Sequence, residues 1–315
     1  MVEHSFSRKV FLEGILFLVA LSFSIQSGSQ LAMAQNESQA EAKRQIDSAF
    51  EQARNGNLQA IAALAELPAA SASLLRPYVH DESSALRREA ISVLTALGGK
   101  EASPLLVEAL SDPNAGNRER ASSGLYFVYD PQEIVALDHA GPALRKAVRG
   151  HSVSATSVLL LRYFPGKETR QVLEQTRDNP QAGKTKLRSW SPVVPARLPA
   201  LVSLSALGDT DSRNELLKLI DAADPAQLEF LFNAIREVDS PRVLHALKQC
   251  LQNQTQISAG VPAGATPRRR ICDLAVDAFV KRLNLKVSFE LAEHQRYEDD
   301  EIKEVIDGIN KTLPR

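Results

Sequence analysis

The sequence predicts an all-α fold, a right-handed solenoid of stacked antiparallel helix pairs, and three observations predict it. First, one helical unit is written twice. Leu74, Leu75, Val79, Asp81, Arg87, Ala90 and Leu94 recur in order as Leu105, Leu106, Leu110, Asp112, Arg118, Ala121 and Leu125. A unit this short cannot bury its apolar face alone, so its repetition implies a stack in which each copy leans on the next. Second, apolar residues recur at spacings of three and four on both sides of each Asp, which is the period of a helix, and the Asp stands where one helix stops and the next starts. Third, 44% of the 315 residues are hydrophobic but only 5% are aromatic, as in Ala/Leu-rich helices that pack through small side chains.

In chain order, residues 1–34 read as an export signal. Arg8 and Lys9 precede an apolar stretch from Val10 to Ile25, and Ala32-Met33-Ala34 has the small-x-small pattern of a cleavage site. This predicts cleavage after Ala34, a mature domain over 35–315, and a periplasmic or extracellular protein. The unbroken apolar run from Gly14 to Ile25 falls short of the ~20 residues that span a bilayer, so no membrane span is expected after the signal is removed.

Glu37 to Ala53 is polar and helix-prone, with Ile46 and Phe50 four apart, and Leu58 to Leu67 continues as an Ala/Leu helix. Pro68 and Pro77 punctuate the entry to the two clear units. Ala143, Leu144, Ala147 and Val148 open a further pair, whose second helix carries Val158 to Leu161 and is broken by Pro165-Gly166. The pattern fails over about 178–199, a predicted irregular loop holding four prolines, four basic residues and the only tryptophan, Trp190. Helical pairing resumes at Leu201–Leu207, Leu216–Ile220, Leu228–Ile235 and Val243–Leu247, with Asp209, Asp221, Asp224 and Asp239 at the boundaries. A second predicted loop, 252–267, leads into Arg268, Arg269 and Arg270 and a helix through Leu283. Alternation at Leu285, Val287, Phe289 and Leu291 predicts a short extended segment. A polar helix from Asp299 to Leu313 closes a C-terminal cap over about 284–315, its acidic start suited to the helix dipole.

At the two clear units the pattern becomes specific. An apolar first helix, a loop Asp, then a second helix with Arg, Ala three on and Leu four further resembles the HEAT repeat, within the armadillo-like helical folds. The resemblance implies that Asp81 and Asp112 cap their loops and that Arg87 and Arg118 form a ladder linking neighbouring units. Glu82 and Ser83 replace the usual proline-led turn, and Leu86 and Asn117 stand where valine is common. As a family the resemblance implies scaffolds with curved binding surfaces, and no activity.

No catalytic or metal-binding set emerges from the residues. There is no His-Glu dipeptide, and the histidines are scattered one per region. His151 and Ser152 are neighbours at a helix entry, where Ser is more often a cap. No Gly-rich phosphate loop is present, and no cofactor is expected. A net charge of −1 opposes nucleic-acid binding, which needs a strong basic excess. The expected function is a non-enzymatic exported scaffold or adaptor that holds a protein partner; the alternative is an enzyme or cofactor-handling protein on the same fold, lyase-like or metal-dependent. Trp190 with Lys186, Arg188 and Arg197 forms the candidate partner-binding cluster, because Trp and Arg dominate interface hot spots. Cys250 and Cys272 form an even pair in an exported chain and are expected to bridge two helix ends, a closure worth roughly 3 kcal/mol on the chain-entropy account. The other reading is two buried thiols acting as small hydrophobes.

Overall fold

A computed structural model describes residues 36–149, 153–188, 191–222, 224–257, 269–292 and 295–313. The expected signal segment, 1–34, lies outside the described residues. The architecture is an all-α solenoid. Its helices are α1 (36–54), α2 (Arg76–Val79), α3 (Ser84–Leu97), α4 (Gly99–Ala109), α5 (Ala115–Val128), α6 (Pro131–Val135), α7 (Ala140–Val148) and α8 (Ala155–Leu160). They continue as α9 (Lys167–Asp178), α10 (Arg197–Ala206), α11 (Thr210–Ala222), α12 (Pro225–Asn233), α13 (Pro241–Lys248), α14 (Ile271–Leu283) and α15 (Asp299–Thr312).

The helices form two rows that share one core. In one row α2, α4, α7 and α9 follow each other; in the other α3, α5, α8 and α10 do, and α11 packs on α13 while α12 packs on α14. A continuous apolar cluster runs from Ile46 and Phe50 through Leu94, Leu106, Leu125, Leu159, Leu204 and Leu231 to Phe279 and Ile309. Burial of this ribbon is the main source of stability, because no single unit encloses its own core.

Loop residues set the boundaries. Ser83 accepts the Leu86 amide and Asn114 the Asn117 amide as N-caps of α3 and α5, while Asp209 and Asp224 do the same for Ser212 and Gln227 at α11 and α12. Gly98 and Gly99 both adopt positive φ between α3 and α4, a left-handed turn that favours glycine.

Three sequence expectations meet a different structure. Leu58–Glu66 and Ala69–Leu75 wind as 3-10 rather than α-helix; Pro68 and Pro77 bracket the second of these short segments, and each lacks the amide donor that would carry an α-helix through. The 178–199 stretch is not wholly irregular: Lys184–Thr185 (β1) pairs antiparallel with Val194–Pro195 (β2), and α10 begins at Arg197. The alternation after Leu283 does give alternating burial over residues 285–292, yet no strand forms there, since no neighbouring backbone among the described residues pairs with it.

Candidate functional site

The repeated Asp and Arg build a ladder along the loops. Arg54 reaches Asp81 at 2.5 Å. Arg87, the fourth residue of α3, donates from Nη1 to the carbonyls of Asp81 and Glu82 at 2.8 and 3.0 Å, and from Nε and Nη2 to both oxygens of Asp112 at 2.7 and 3.0 Å. One guanidinium therefore closes its own loop and grips the next. Asp112 is 7% exposed. Burial raises its pKa, but hydrogen bonds from Arg87, the Asn114 amide and Asn117 outweigh that and hold the carboxyl below its usual value. Arg118, the fourth residue of α5, repeats half of this pattern: Nη1 donates to the carbonyls of Asp112 and Pro113 at 2.9 and 3.0 Å. Further along, Asp209 stands 3.4 Å from Arg170 and 3.7 Å from Arg177.

The candidate partner cluster is spread over the 184–197 hairpin. Lys186 is half-buried beside β1. Arg188 is exposed and lies over the Phe127 ring, 4.2 Å from its centre. Trp190 lies outside the described residues. Arg197 sits in the first turn of α10 and pairs with Glu215 of α11, so its charge is engaged within the stack. Next to the hairpin is a cavity of ≈ 350 Å³ lined by Gly116, Glu119, Ser154, Lys184, Lys186 and Val193 among others. Val193 is 57% exposed, which gives this edge an apolar side chain among cations.

A second polar cluster was not legible in the sequence. Arg236, in the 3-10 turn Ile235–Glu237, stacks 3.7 Å over the Tyr126 ring and donates to the Tyr126 carbonyl across 110 residues of chain. The fully buried Glu237 accepts from Arg236 and from the Tyr163 hydroxyl, both at 2.7 Å. Arg162 reaches the Glu237 carbonyl and Asp239, and Arg282 reaches Asp239 at 3.0 Å. Every charge in this cluster has an opposite neighbour, so it reads as a clamp between distant parts of the stack. At the other end, Arg269 and Arg270 are drawn inward to Asp277 and Asp273, at 2.6 and 2.7 Å, rather than left solvated; Arg268 lies outside the described residues.

The expected Cys250–Cys272 bridge is corrected by the structure: both are free, buried thiols. Cys250 ends in the 3-10 turn after α13 and Cys272 opens α14, each inside the apolar core. Burial pushes the Cys250 thiol up to about 11 and raises Cys272 as well, where the neighbouring Asp273 adds to the effect. These are small hydrophobes with suppressed thiolate character.

Among the described residues, no three His, Cys, Asp or Glu side chains converge to hold a metal, and no helix is long and apolar enough to cross a membrane. His151 and His294 lie outside the described residues. Residues 48–126 match the family model for HEAT repeats. A search of curated proteins finds no match.

Proposed function

Starting from a chain whose residues 48–126 are HEAT repeats, we propose that this protein is an exported, non-enzymatic scaffold that holds a protein partner on its helical-repeat surface. Helical repeats of this kind commonly mediate protein interaction, and a stack bound together by a ribbon of core leaves its loops free to vary without loss of the fold. The observation that carries the reading is the 184–195 hairpin. It interrupts an otherwise helical stack and sets Lys184, Lys186 and the exposed Val193 around a cavity. Export rests on the N-terminal sequence, with its basic pair, apolar run and Ala32-Met33-Ala34.

Affinity capture of the protein from its own compartment, followed by mass spectrometry, tests the proposal. Trp190→Ala is expected to weaken capture of the partner while stability stays within about 1 kcal/mol of wild type. Equal capture by both proteins removes the hairpin from the binding surface. A protein that crosslinks to nothing in place removes the scaffold reading altogether.

A further inference from the structure

The arginine ladder breaks at one rung, and the break leaves a binding fork open. Arg87 and Arg118 occupy the same place in their helices, and both anchor Nη1 on two loop carbonyls at 2.8 to 3.0 Å. Anchored in this way, Arg87 turns Nε and Nη2 toward the next loop and takes both oxygens of Asp112. Arg118, with the same anchor, makes no hydrogen bond from Nε or Nη2 and no ion pair among the described residues. The sequence register explains why. Asp81 and Asp112 each stand two residues ahead of an N-cap, Ser83 and Asn114; two residues ahead of Ser154, the N-cap of α8, stands Ser152. The acid that would close the third rung is absent from the sequence.

At the same place the chain brings in more positive charge. Lys184 and Lys186, neither of which forms an ion pair among the described residues, line the ≈ 350 Å³ cavity whose other walls include Gly116 and Glu119 from the first turns of α5 and Ser154. Lys184 and Lys186 thus share the cavity with a single lining acid, Glu119, and Arg118 stands at its edge: it precedes Glu119 on α5, and the position two residues ahead of Ser154, which its free nitrogens would reach by analogy with Arg87, adjoins a residue of the cavity wall.

We propose that the Arg118 fork and the Lys184–Lys186 edge form a carboxylate-binding site for an acidic segment of a partner protein. A partner Asp or Glu would take on Arg118 the place that Asp112 takes on Arg87, with further acids meeting the two lysines. Two parallel N–H···O bonds from a guanidinium favour a planar carboxylate, and the fork is already positioned by its backbone anchors, so little ordering is lost on binding. The inference rests on the scaffold reading above and names the chemistry of the partner.

The test is fluorescence anisotropy with a fluorescein-labelled peptide of six glutamates and its glutamine counterpart, titrated with the purified protein at low and moderate salt. The glutamate peptide is expected to bind, and the glutamine peptide to bind at least tenfold more weakly. Arg118→Gln and the double variant Lys184→Ala/Lys186→Ala should each lower affinity about tenfold. Arg118→Lys should also weaken binding, since it keeps the charge and loses the fork. Neither lysine side chain makes a hydrogen bond among the described residues, so the double variant, which keeps the backbone pairing of β1, remains informative if Arg118→Gln fails to fold. No binding by wild type, equal binding of the glutamine peptide, or unchanged affinity in the folded variants overturns the inference. The two proposals fail separately. A natural partner captured equally by wild type and Arg118→Gln removes the carboxylate site and leaves the scaffold, whereas acidic-peptide binding with no captured partner removes only the scaffold.

Discussion

Glu229→Gln should turn a pH-dependent weakness of the fold into a nearly flat response. Glu229 lies in α12, is 4% exposed, and its carboxyl makes no hydrogen bond among the described residues. Burial pushes its carboxyl up to about 7 from an ordinary 4.5, and the charge of Arg269 offsets only part of that. A raised pKa means that the folded protein holds this proton more tightly than the unfolded chain does. The contribution to stability is therefore full below 4.5 and is lost as pH rises through about 7. A shift of this size at ~1.4 kcal/mol per unit amounts to about 3 kcal/mol by pH 8.5. Glutamine is neutral at every pH and nearly the same shape. Urea unfolding of wild type and variant, measured at pH 5 and pH 8.5, should show similar midpoints at pH 5 and a variant more stable by about 2 to 3 kcal/mol at pH 8.5. Curves that stay parallel across that range would refute the reasoning, because the carboxylate would then be solvated or paired in the folded state.

Other outcomes follow from the same geometry. Asp112→Asn leaves the nearly buried Arg87 without its counter-charge and should cost about 3 kcal/mol or more in urea unfolding at neutral pH; because the Asp112 pKa is depressed, the gap should close as pH falls through the folded-state value and the wild type loses the same interaction. Gly124→Ala sets a Cβ 2.5 Å from Thr95 Oγ1, and the overpacking of about 1–3 kcal/mol should exceed the ~1 kcal/mol gained in helix propensity. Thr95→Ala in the same chain should recover most of that loss in a double-mutant cycle. Cys250 and Cys272 should resist alkylation in the native protein and take two equivalents of reagent once unfolded, read by mass spectrometry.

The sequence carried the stack because repetition and helical period are local signals. Asp81, Arg87, Asp112 and Arg118 could be placed on loops and helix starts from their spacing alone. Side chains that act at a distance left no such trace. Arg236 and Tyr126 meet across 110 residues, a contact outside the nearest-neighbour logic of a repeat array, and nothing in the turn around Arg236 marks it as a clamp. Glu229 could have been suspected. The run Leu228-Glu229-Phe230-Leu231-Phe232 is apolar on nearly all sides, which marks a helix buried all round, so an acid within it has no solvated face. The β1–β2 pair is two residues long on each side and sits among prolines and lysines, below the length at which alternation can be read. The cysteine bridge was inferred from an even count and an exported context; the structure gives each thiol its own place in the apolar core, and burial alone accounts for both residues.

At the break in the ladder, the seam between α5 and α8 holds without an ion pair among the described residues. Where Arg87 and Asp112 join the preceding units, this seam uses neutral hydroxyls. Ser122 lies 2.7 Å from Thr156 and 3.0 Å from Ser154, which are themselves 2.8 Å apart, and the Ala155 amide donates to Thr185 at 2.9 Å. Ser122 and Thr156 are buried. A closed hydroxyl triangle carries far less desolvation cost than a buried ion pair, and it ties the hairpin to the start of α8 through Thr185. Arg236 then fastens the far end of α5 from the other half of the chain. The seam is secured at both ends without Arg118. Arg118 still closes its own loop through Nη1, but its Nε and Nη2 are spare, and Lys184 and Lys186, on a hairpin that the hydroxyls hold in place, form no ion pair among the described residues; this is charge placed for something outside the fold.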